Sequence, residues 1–287
     1  MAMTYQDFRC FHRLRVRWAE VDMQKIVFNA HYLMYVDTAM MDYWRALALP
    51  YEASMVALGG DMYVKKATLE YHASAQLDDL LDIGMRCARV GNSSVLFEAG
   101  IFRGEQLLVS GELVYVFADP ATQTSKPVPQ ALREVFAAFE AGEPMVQVRC
   151  GAWRDLGPEA ARLREAVFVA EQRIAPDIER DALDADAVHV LIANRLGMPI
   201  ATGRLLVQAP GVGRIGRMAV DRLLRGGGWG LQTLRALEDA ARARGDRQML
   251  LHAQVQARGF YEGAGYQVQG EPWQEAGIAH LAMLRSL

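Results

Sequence analysis

The chain has 287 residues, of which 52% are hydrophobic and 23% are charged. That length suits two domains of ordinary size, and the apolar content excludes a largely disordered chain. The formal net charge of −3 lacks the basic excess that is typical of nucleic-acid-binding proteins, so we expect no nucleic-acid partner.

The cysteines and the hydropathy pattern indicate the compartment. Cys10, Cys87 and Cys150 are odd in number and widely spaced, which argues against a disulfide framework and against a zinc site. No stretch reaches the roughly 18 unbroken apolar residues that span a bilayer, and the N-terminal residues lack an apolar signal core. We therefore expect a cytoplasmic protein with no membrane insertion and no bound metal.

The first half of the chain predicts one long helix among antiparallel strands. Alternating polar and apolar residues predict a strand over Arg13–Trp18, and helical spacing of apolar residues predicts a core helix from Ala30 to Leu47. One helix followed by hairpin-linked strands is typical of an α+β domain. The further elements predicted are strands at Tyr63–Tyr71, Leu80–Val90, Ser94–Phe102 and Leu107–Phe117 and a helix at Gln130–Phe139.

A polar segment that contains Gly and Pro, Glu140–Pro144, predicts a domain boundary near the middle of the chain. We expect one domain over residues 1–142, a linker over residues 143–149 and a second domain over residues 150–287. The elements predicted in the second half are a helix at Pro158–Glu171, strands at His189–Asn194, Pro199–Gln208 and Ile215–Val220, a helix at Leu231–Arg244, a strand at Gln248–Gln254, a short helix around Phe260 and a strand near Ile278–Leu284.

The segment Arg225–Gly230 places a run of glycines between a predicted strand and a predicted helix. Glycines there let backbone N–H groups approach an anion, and the positive end of the helix dipole faces the same point. Taken alone, the pattern fits either phosphate binding or a plain strand-to-helix connection. A dinucleotide-binding fold fits less well, because the glycine turn follows several strands.

Together with Gly216–Asp221 before it, the pattern Arg-x-x-Gly-x-Gly in this segment resembles the acetyl-CoA motif of the GNAT superfamily. The resemblance implies an α/β GNAT domain, with a mixed sheet flanked by helices. It also implies that acetyl-CoA or another acyl-CoA is a substrate rather than a tightly bound cofactor. The implied contacts are Met218 and Val220 with the pantetheine arm, and Arg225, Gly226, Gly228, Trp229 and Gly230 with the pyrophosphate.

Further along, Phe260-Tyr261-Glu-Gly-Ala-Gly-Tyr266 resembles the Phe-Tyr-x-x-x-Gly-Phe signature of GNAT domains. The resemblance implies that Tyr261 protonates the departing CoA thiolate, a task that suits a phenol. The alternative is a packed aromatic side chain. An asparagine that is often found upstream in the family is Gln256 in this chain.

The front and the end of the second half are similar to the ElaA-like branch of GNAT proteins. Glu171, His189, Glu275 and His280 are candidates to line an acceptor pocket and to take a proton from an amine. Packing or capping roles for the two histidines fit equally well. The residues that carry this similarity are Leu163–Gln172, Asp181, Asp184, Asp186, Ala187, His189 and Glu275–Met283.

In the first half a carboxylate, Asp22, lies between the first predicted strand and the long predicted helix. A solvated or capping Asp is the plain interpretation. The run from Asp22 to Tyr32 resembles the Asp-x-x-Gly-x-Val-x-x-x-x-Tyr signature of hotdog thioesterases of the 4-hydroxybenzoyl-CoA and Tol-Pal-associated type. This resemblance implies a hotdog domain, in which an antiparallel sheet wraps a long helix.

In this family Asp22 would act as nucleophile or general base, and Asn29 or His31 would hold the acyl group or a water molecule. The glycine of the signature is replaced by Lys25. The two resemblances together imply a bifunctional enzyme that hydrolyses acyl-CoA thioesters and transfers an acyl group from acetyl-CoA to an amine. They also imply a homodimer or homotetramer formed through the hotdog domain. The alternative is that one domain alone is catalytic and the other is an acyl-CoA-binding or oligomerisation module.

Overall fold

The computed structural model describes residues 3–275 and 277–287. The chain divides into two compact units, Met1–Met145 and Val146–Leu287, each with its own sheet. Among the helices of these described residues, none combines the length and the apolar character that crossing a membrane requires.

The first unit is a five-stranded antiparallel sheet with the strand order β1-β3-β4-β5-β2, packed against a long helix. Its strands are β1 (Cys10–Arg15), β2 (Asp61–Tyr71), β3 (Leu80–Val90), β4 (Ser94–Arg103) and β5 (Gln106–Ala118). Its helices are α1 (Asn29–Ala46), α2 (Tyr51–Leu58) and α3 (Gln130–Glu140), with short 3-10 turns at Tyr5–Asp7 and Trp18–Glu20.

Helix α1 forms the core of this unit, because its apolar residues recur on one face. Burying each large side chain stabilises the fold by about 1.5–3 kcal/mol. The Tyr43 hydroxyl donates a hydrogen bond to Glu140 Oε1 at 2.7 Å, and the Trp44 ring lies 5.7 Å from the Phe136 ring, so α3 closes over α1. The predicted hotdog architecture is confirmed. The buried residues of α1 are Tyr32, Tyr35, Val36, Ala39, Met40, Tyr43 and Trp44.

The first strand begins and ends three residues earlier than its sequence pattern predicts. Its partner β3 begins at Leu80, which lies opposite Arg15, and beyond this pair Val16 exchanges backbone hydrogen bonds only with the turn residues Asp78 and Asp79. The chain then forms the turn at Trp18–Glu20. Glu20 is 3% exposed and accepts hydrogen bonds from the Arg17 backbone N–H at 2.8 Å and from the Tyr35 hydroxyl at 2.7 Å.

The second unit is a seven-stranded sheet with the order β11-β12-β10-β9-β8-β7-β6. Among the strand pairs formed by the described residues of this unit, β9 and β10 alone are parallel, so the sheet is mixed. Its strands are β6 (Val146–Ala152), β7 (Val188–Asn194), β8 (Pro199–Ala209), β9 (Val212–Val220), β10 (Gln248–Gln254), β11 (Gln267–Glu275) and β12 (Ile278–Ser286). Its helices are α4 (Trp153–Arg164), α5 (Pro176–Glu179), α6 (Trp229–Arg244) and α7 (Arg258–Gly263), and a π-helical segment covers Glu165–Glu171.

Helices cover both faces of this sheet. Leu191 of β7 packs against Leu156 and Ala160 of α4, whereas its neighbour Val190 belongs to the core that includes Leu234 of α6. Successive strand residues point to opposite faces, so α4 and α6 lie on opposite sides of the sheet. The predicted GNAT architecture is confirmed.

Two boundaries in this unit differ from the sequence prediction. Residues 146–149 of the predicted linker lie in β6, because this strand pairs with β7 along its whole length. The helix predicted at Pro158–Glu171 begins at Trp153 and gives way to the π-helical segment after Arg164. Contacts of Trp153 and Leu156 with the core extend the helix ahead of the proline.

Three arginines and three carboxylates form an ionic network beside the sheet of the second unit. Arg164 donates two hydrogen bonds to the Asp184 carboxylate, both at 2.9 Å, and pairs with Glu179. Arg204 donates to Asp181 at 2.6 Å and to Asp184 at 2.7 Å. The network ties the segment around α5 to the sheet. Its members are Arg164, Glu179, Asp181, Asp184, Arg204 and Arg217.

We expect Arg164→Met to destabilise the second unit by about 3–5 kcal/mol, because it removes the ion-pair partner of buried Glu179 and leaves buried Asp184 with Arg204 alone. Arg164 is 1% exposed, whereas Arg154, which pairs with Asp155 at 3.6 Å, has a side chain that is 86% exposed. The matched change Arg154→Met should therefore cost less than about 0.5 kcal/mol. Urea unfolding of both variants measures the difference, and equal free energies of unfolding would contradict the role given to the network.

The same network predicts that the second unit loses stability at acid pH. Burial alone would raise the pKa of Asp184, but hydrogen bonds from Arg164 and Arg204 outweigh it and lower that pKa. A lowered pKa in the folded state gives stability that is present above the unfolded value, about 3.9, and is lost as the pH falls below it. The stability difference between wild type and Arg164→Met should therefore shrink in that acid range.

Candidate functional sites

The parallel strands β9 and β10 separate part of the way along their length. They pair only from Val212 opposite Gln248 to Ile215 opposite Leu251. Beyond this point β9 keeps its partner β8 on one edge but no longer pairs with β10. Residues 216–220 thus present backbone N–H and C=O groups at an open edge, which can bind an extended ligand as a further strand would.

A cavity of about 850 Å³ opens where the two strands separate, and Met218, Val220 and Tyr261 line it. A β-bulge shapes its wall, because Arg217 and Met218 of β9 together oppose the single residue Gly203 of β8. Arg217 takes a left-handed conformation there, with φ 52°. Such a bulge redirects the side chains and backbone groups that follow it.

The glycine-rich turn forms one end of this cleft. Gly226 and Gly228 have φ values of 87° and 84°, a conformation that favours glycine, and α6 begins at Trp229 directly after them. The first N–H groups of a helix have no partner within it, and they carry the positive end of the helix dipole. Gly226, Gly228, Trp229 and Gly230 all line the cleft, so this end is suited to an anion.

Arg225 bridges the turn and the π-helical segment. Its guanidinium donates two hydrogen bonds to the Glu171 carboxylate, at 2.6 and 2.7 Å, and one to the Val220 carbonyl oxygen at 3.2 Å. The hydrogen bonds from Arg225 lower the pKa of Glu171. Arg225 lines the cleft, whereas its ion-pair partner Glu171 does not.

Tyr261 lies on α7 and is 8% exposed. Its ring packs against Phe260 at 4.9 Å and Tyr266 at 5.9 Å. Burial raises the pKa of Tyr261 to about 12, so the phenol keeps its proton at neutral pH. A protonated phenol in a cleft has the form that a general acid requires.

Of the four residues that the sequence suggested for proton transfer, two line the cleft and two do not. Glu275 and His280 line the cleft. His189 is 1% exposed, and its Nε2 lies 2.9 Å from the Asp184 carbonyl oxygen, so the packing interpretation holds for this histidine. His252, which the sequence analysis did not single out, also lines the cleft. The alternating pattern of β10 could have indicated this residue. Met249, Leu251 and Ala253 are buried in the core with α6, and His252 points to the opposite face of the sheet.

In the first unit, Asp22 begins a tight turn. Lys25 N–H donates to the Asp22 carbonyl oxygen at 3.0 Å, and Asp22 N–H donates to the Ile26 carbonyl oxygen at 2.9 Å. Lys25 lies in the left-handed region with φ 63°, which explains why a glycine is typical of this position. The Asp22 side chain accepts a hydrogen bond from Gln24 N–H at 2.7 Å.

The other two sequence candidates of this unit lie in the first turn of α1. Asn29 is the first residue of the helix, and its carbonyl oxygen accepts a hydrogen bond from the Tyr71 hydroxyl at 3.3 Å. The His31 ring lies 6.1 Å from the Phe28 ring. Within the described part of the chain, Asp22 forms no hydrogen bond with Asn29 or His31. The structure thus places the three residues on one short stretch without linking them directly.

We expect Lys25→Gly to stabilise the first unit by up to about 1 kcal/mol, since a left-handed conformation costs an L-residue about 1–2 kcal/mol and glycine's greater freedom in the unfolded chain offsets part of the gain. The matched change Gln24→Gly removes no positive φ and should give no gain. Urea unfolding compares the two variants. A loss of stability in Lys25→Gly would show that the lysine side chain itself stabilises the turn.

Metal ligands are not clustered in the described residues. Across residues 3–275 and 277–287, no group of three or more His, Cys, Asp and Glu side chains is placed to hold a metal ion.

Comparison with known proteins places the two units in two families. Residues 154–287 match the acetyltransferase (GNAT) domain model. A Bacillus subtilis protein named "Uncharacterized N-acetyltransferase YjcF" is 35% identical over 128 residues, which cover 44% of this chain and 90% of that protein. Through these residues the chain belongs to the GNAT acetyltransferase family.

Residues 24–110 match the thioesterase superfamily model. The acyl-CoA thioester hydrolase YbgC of Escherichia coli is 27% identical over 120 residues, 42% of this chain and 89% of that protein.

Among solved structures, a crystal structure of an acyl-CoA N-acyltransferase from Pseudomonas aeruginosa is 32% identical, covers 49% of this chain and 99% of that chain, and has a TM-score of 0.45. The chain thus joins a unit that matches the thioesterase superfamily model to a GNAT unit.

Proposed function

We propose that the second unit transfers an acyl group from acyl-CoA to an amine. The observation that carries this proposal is the separation of β9 and β10, with the glycine-rich helix start at one end of the cleft and Tyr261 within it. The pyrophosphate of CoA would bind the N–H groups from Gly226 to Gly230. The pantetheine arm would run along the open edge at Met218 and Val220, as an added strand does.

In this reaction the amine nitrogen attacks the thioester carbonyl carbon, a C–N bond forms and the C–S bond breaks. Tyr261 donates its proton to the departing thiolate. Three titratable residues that line the cleft, His252, Glu275 and His280, are available to take a proton from the amine. Arg225 contributes a positive charge near the pyrophosphate, for which Glu171 is its partner in the unliganded site.

We propose that the first unit hydrolyses an acyl-CoA thioester, with Asp22 as nucleophile or as general base toward water. Support comes from the thioesterase-superfamily match and from the position of Asp22 just ahead of α1. The N–H groups at the start of α1 would polarise the thioester oxygen. Asn29 and His31 would hold the acyl group or the water molecule.

The proposal includes a homodimer or homotetramer formed through the first unit. Strand β2 lies at the edge of its sheet and runs for 11 residues with most side chains exposed, among them Val64 at 52% and Tyr71 at 53%. A long exposed edge strand is a template for pairing with another chain. The three cysteines are unpaired, which agrees with the reducing cytoplasm where we place the protein.

A second candidate function keeps catalysis in the GNAT unit alone, with the first unit as an acyl-CoA-binding or oligomerisation module. The observation in its favour is that Asp22 already accepts a hydrogen bond within its own turn, as a purely structural Asp does. The strained Lys25 at the family's glycine position agrees with it.

Release of free CoA from acetyl-CoA and longer acyl-CoAs, measured with and without an added amine, tests both activities at once. Hydrolysis by the first unit should proceed without an amine, and transfer by the second should add an amine-dependent rate. Amine-dependent release alone would favour the second candidate function. Amine-independent release alone would contradict the transferase.

A further inference from the structure

Two consecutive residues, Glu171 and Gln172, tie the end of the π-helical segment to the two walls of the cleft. The Glu171 carboxylate accepts two hydrogen bonds from Arg225, in the glycine-rich turn that follows β9. The Gln172 side-chain oxygen accepts a hydrogen bond at 2.9 Å from the side-chain amide of Gln254, at the end of β10. Because β9 and β10 are the strands that separate, the two ties span the opening between them. Glu171 and Gln172 together are called the clasp.

The backbone on both sides of the clasp adopts unfavourable conformations. The preceding residues, Glu165–Glu171, form a π-helix, a rare geometry that is found mostly in single turns and often at functional sites. Arg173, directly after the clasp, has a left-handed conformation with φ 60°, which disfavours a residue that carries a side chain. Phe168 and Ile174 in the same stretch line the cleft, so a movement of this stretch changes the width of the cleft.

The tie to Glu171 occupies the donors of Arg225 that a phosphate group needs. Nη1 of Arg225 donates to Oε1 of Glu171 and Nη2 donates to Oε2, which is the end-on fork of a guanidinium on a carboxylate. Nε of Arg225 donates to the Val220 carbonyl oxygen, so the side-on fork of Nε and Nη2 is engaged as well. A pyrophosphate that is to receive two parallel hydrogen bonds from Arg225 must therefore displace Glu171.

The pair of Glu171 and Arg225 is accessible enough to exchange partners. The Glu171 side chain is 31% exposed and the Arg225 side chain is 42% exposed. Solvent reaches both, so the two can separate without leaving a buried charge unpaired. Glu171 also places a negative charge beside the glycine-rich turn and the start of α6, the end of the cleft that suits an anion.

We propose that Glu171 is an internal competitor of CoA, which holds Arg225 until the CoA pyrophosphate takes Arg225 and releases this arm of the clasp. This inference rests on the CoA site of the proposed transferase and adds the regulation of that site. After the release, Gln172 alone ties the segment to the wall of the cleft. The wall formed by Phe168 and Ile174 therefore loosens only after the acyl donor has bound.

Calorimetric titration of the full chain with CoA tests the competition, and the site in the second unit is the one that Gly228→Asp removes. Glu171→Gln keeps the shape of the side chain and loses its charge, so it should bind CoA at this site about 3- to 10-fold more tightly. The gain should shrink at about 1 M salt, which screens charges beyond about 3 Å. Unchanged or weaker binding would overturn the inference, and weaker binding would show that Glu171 orients Arg225 for the ligand.

Glu165→Gln is the matched control. Glu165 lies on the same segment and accepts a hydrogen bond from Arg180 at 3.3 Å, and neither side chain lines the cleft. The CoA affinity of this variant should equal that of the wild type. In Arg225→Gln the affinity should fall, and adding Glu171→Gln should change it no further, because no guanidinium is left to compete for. A gain that persisted in this background would indicate direct repulsion of the phosphates and would overturn the competition.

Hydrogen exchange followed by mass spectrometry tests the release of the clasp. The N–H groups of residues 172, 173 and 174 donate to carbonyl oxygens of the preceding segment, at 2.9 to 3.1 Å. CoA should slow exchange at the start of α6 and speed it at residues 172–174, and Glu171→Gln should show the faster exchange without CoA. Slower exchange at residues 172–174 with CoA would overturn the release and leave the transferase standing. If these effects occur but no amine accelerates CoA release, the transferase function fails and the clasp stands.

Discussion

Tyr261→Phe is expected to lower kcat of amine-dependent acyl transfer by about 10²- to 10⁴-fold, the usual contribution of a general acid. The phenol lines the cleft and, with a pKa raised to about 12 by burial, is protonated at neutral pH. Removing the hydroxyl leaves the ring contacts with Phe260 and Tyr266 in place. The KM for acetyl-CoA should therefore change little.

Tyr266→Phe is the matched control, since it removes the same atom from the neighbouring aromatic residue. The Tyr266 hydroxyl donates a hydrogen bond to Glu238 Oε1 at 3.0 Å in the buried core. This variant should lose stability by about 1 kcal/mol and keep its kcat. If Tyr261→Phe transferred acyl groups at the wild-type rate, another group would have to protonate the thiolate.

Asp22→Asn is expected to lower amine-independent hydrolysis of acyl-CoA by about 10²- to 10⁴-fold. The amide keeps the size of the side chain and can still accept the hydrogen bond from Gln24 N–H, but it provides neither a carboxylate nucleophile nor a base. The turn should stay folded. Transfer by the second unit should be unaffected.

Asp119→Asn provides the control for this change. Asp119 is another turn carboxylate of the first unit, and hydrogen bonds from the N–H groups of Ala121 and Thr122 lower its pKa. Its replacement should alter stability slightly and leave hydrolysis intact. Equal hydrolysis rates in Asp22→Asn and Asp119→Asn would rule out the catalytic role and support a binding or oligomerisation module.

Long periodic segments made most of the fold predictable from the sequence. The strands predicted at Leu80–Val90 and Gln248–Gln254 match the observed strands at both ends, and the helix predicted from Ala30 begins at Asn29. These segments bury many apolar side chains, so local pattern and tertiary packing agree. They predict an α+β first domain, whereas the hotdog and GNAT architectures are implied by the resemblance of the motifs to those families.

The elements that sequence reasoning missed depend on contacts from distant residues. Strand β11 has mostly exposed side chains, and its pairing with β12 rather than an apolar pattern defines it. Helix α2 is short and sits between α1 and β2, where its Tyr51 hydroxyl binds Asp61 at 2.5 Å. The start of β6 looked like a linker because an edge strand carries little apolar signal.

Some residues of the candidate sites could be predicted from local motifs, and others could not. The glycine turn and Tyr261 carry local motifs, so their residues could be named from the sequence, and the structure places them along one cleft. His252 carries no motif. It lines the cleft because of the face of β10 that it occupies, and that face becomes evident only from the packing of the sheet.

The central claim is that one chain builds two separate CoA-binding sites, and calorimetric titration with CoA tests it most directly. We predict two CoA molecules bound per chain in the wild type. In Gly228→Asp one should remain, because a side chain at φ 84° strains the turn and its charge repels the pyrophosphate. Binding of a single CoA by the wild type, or of none after Gly228→Asp, would contradict the account.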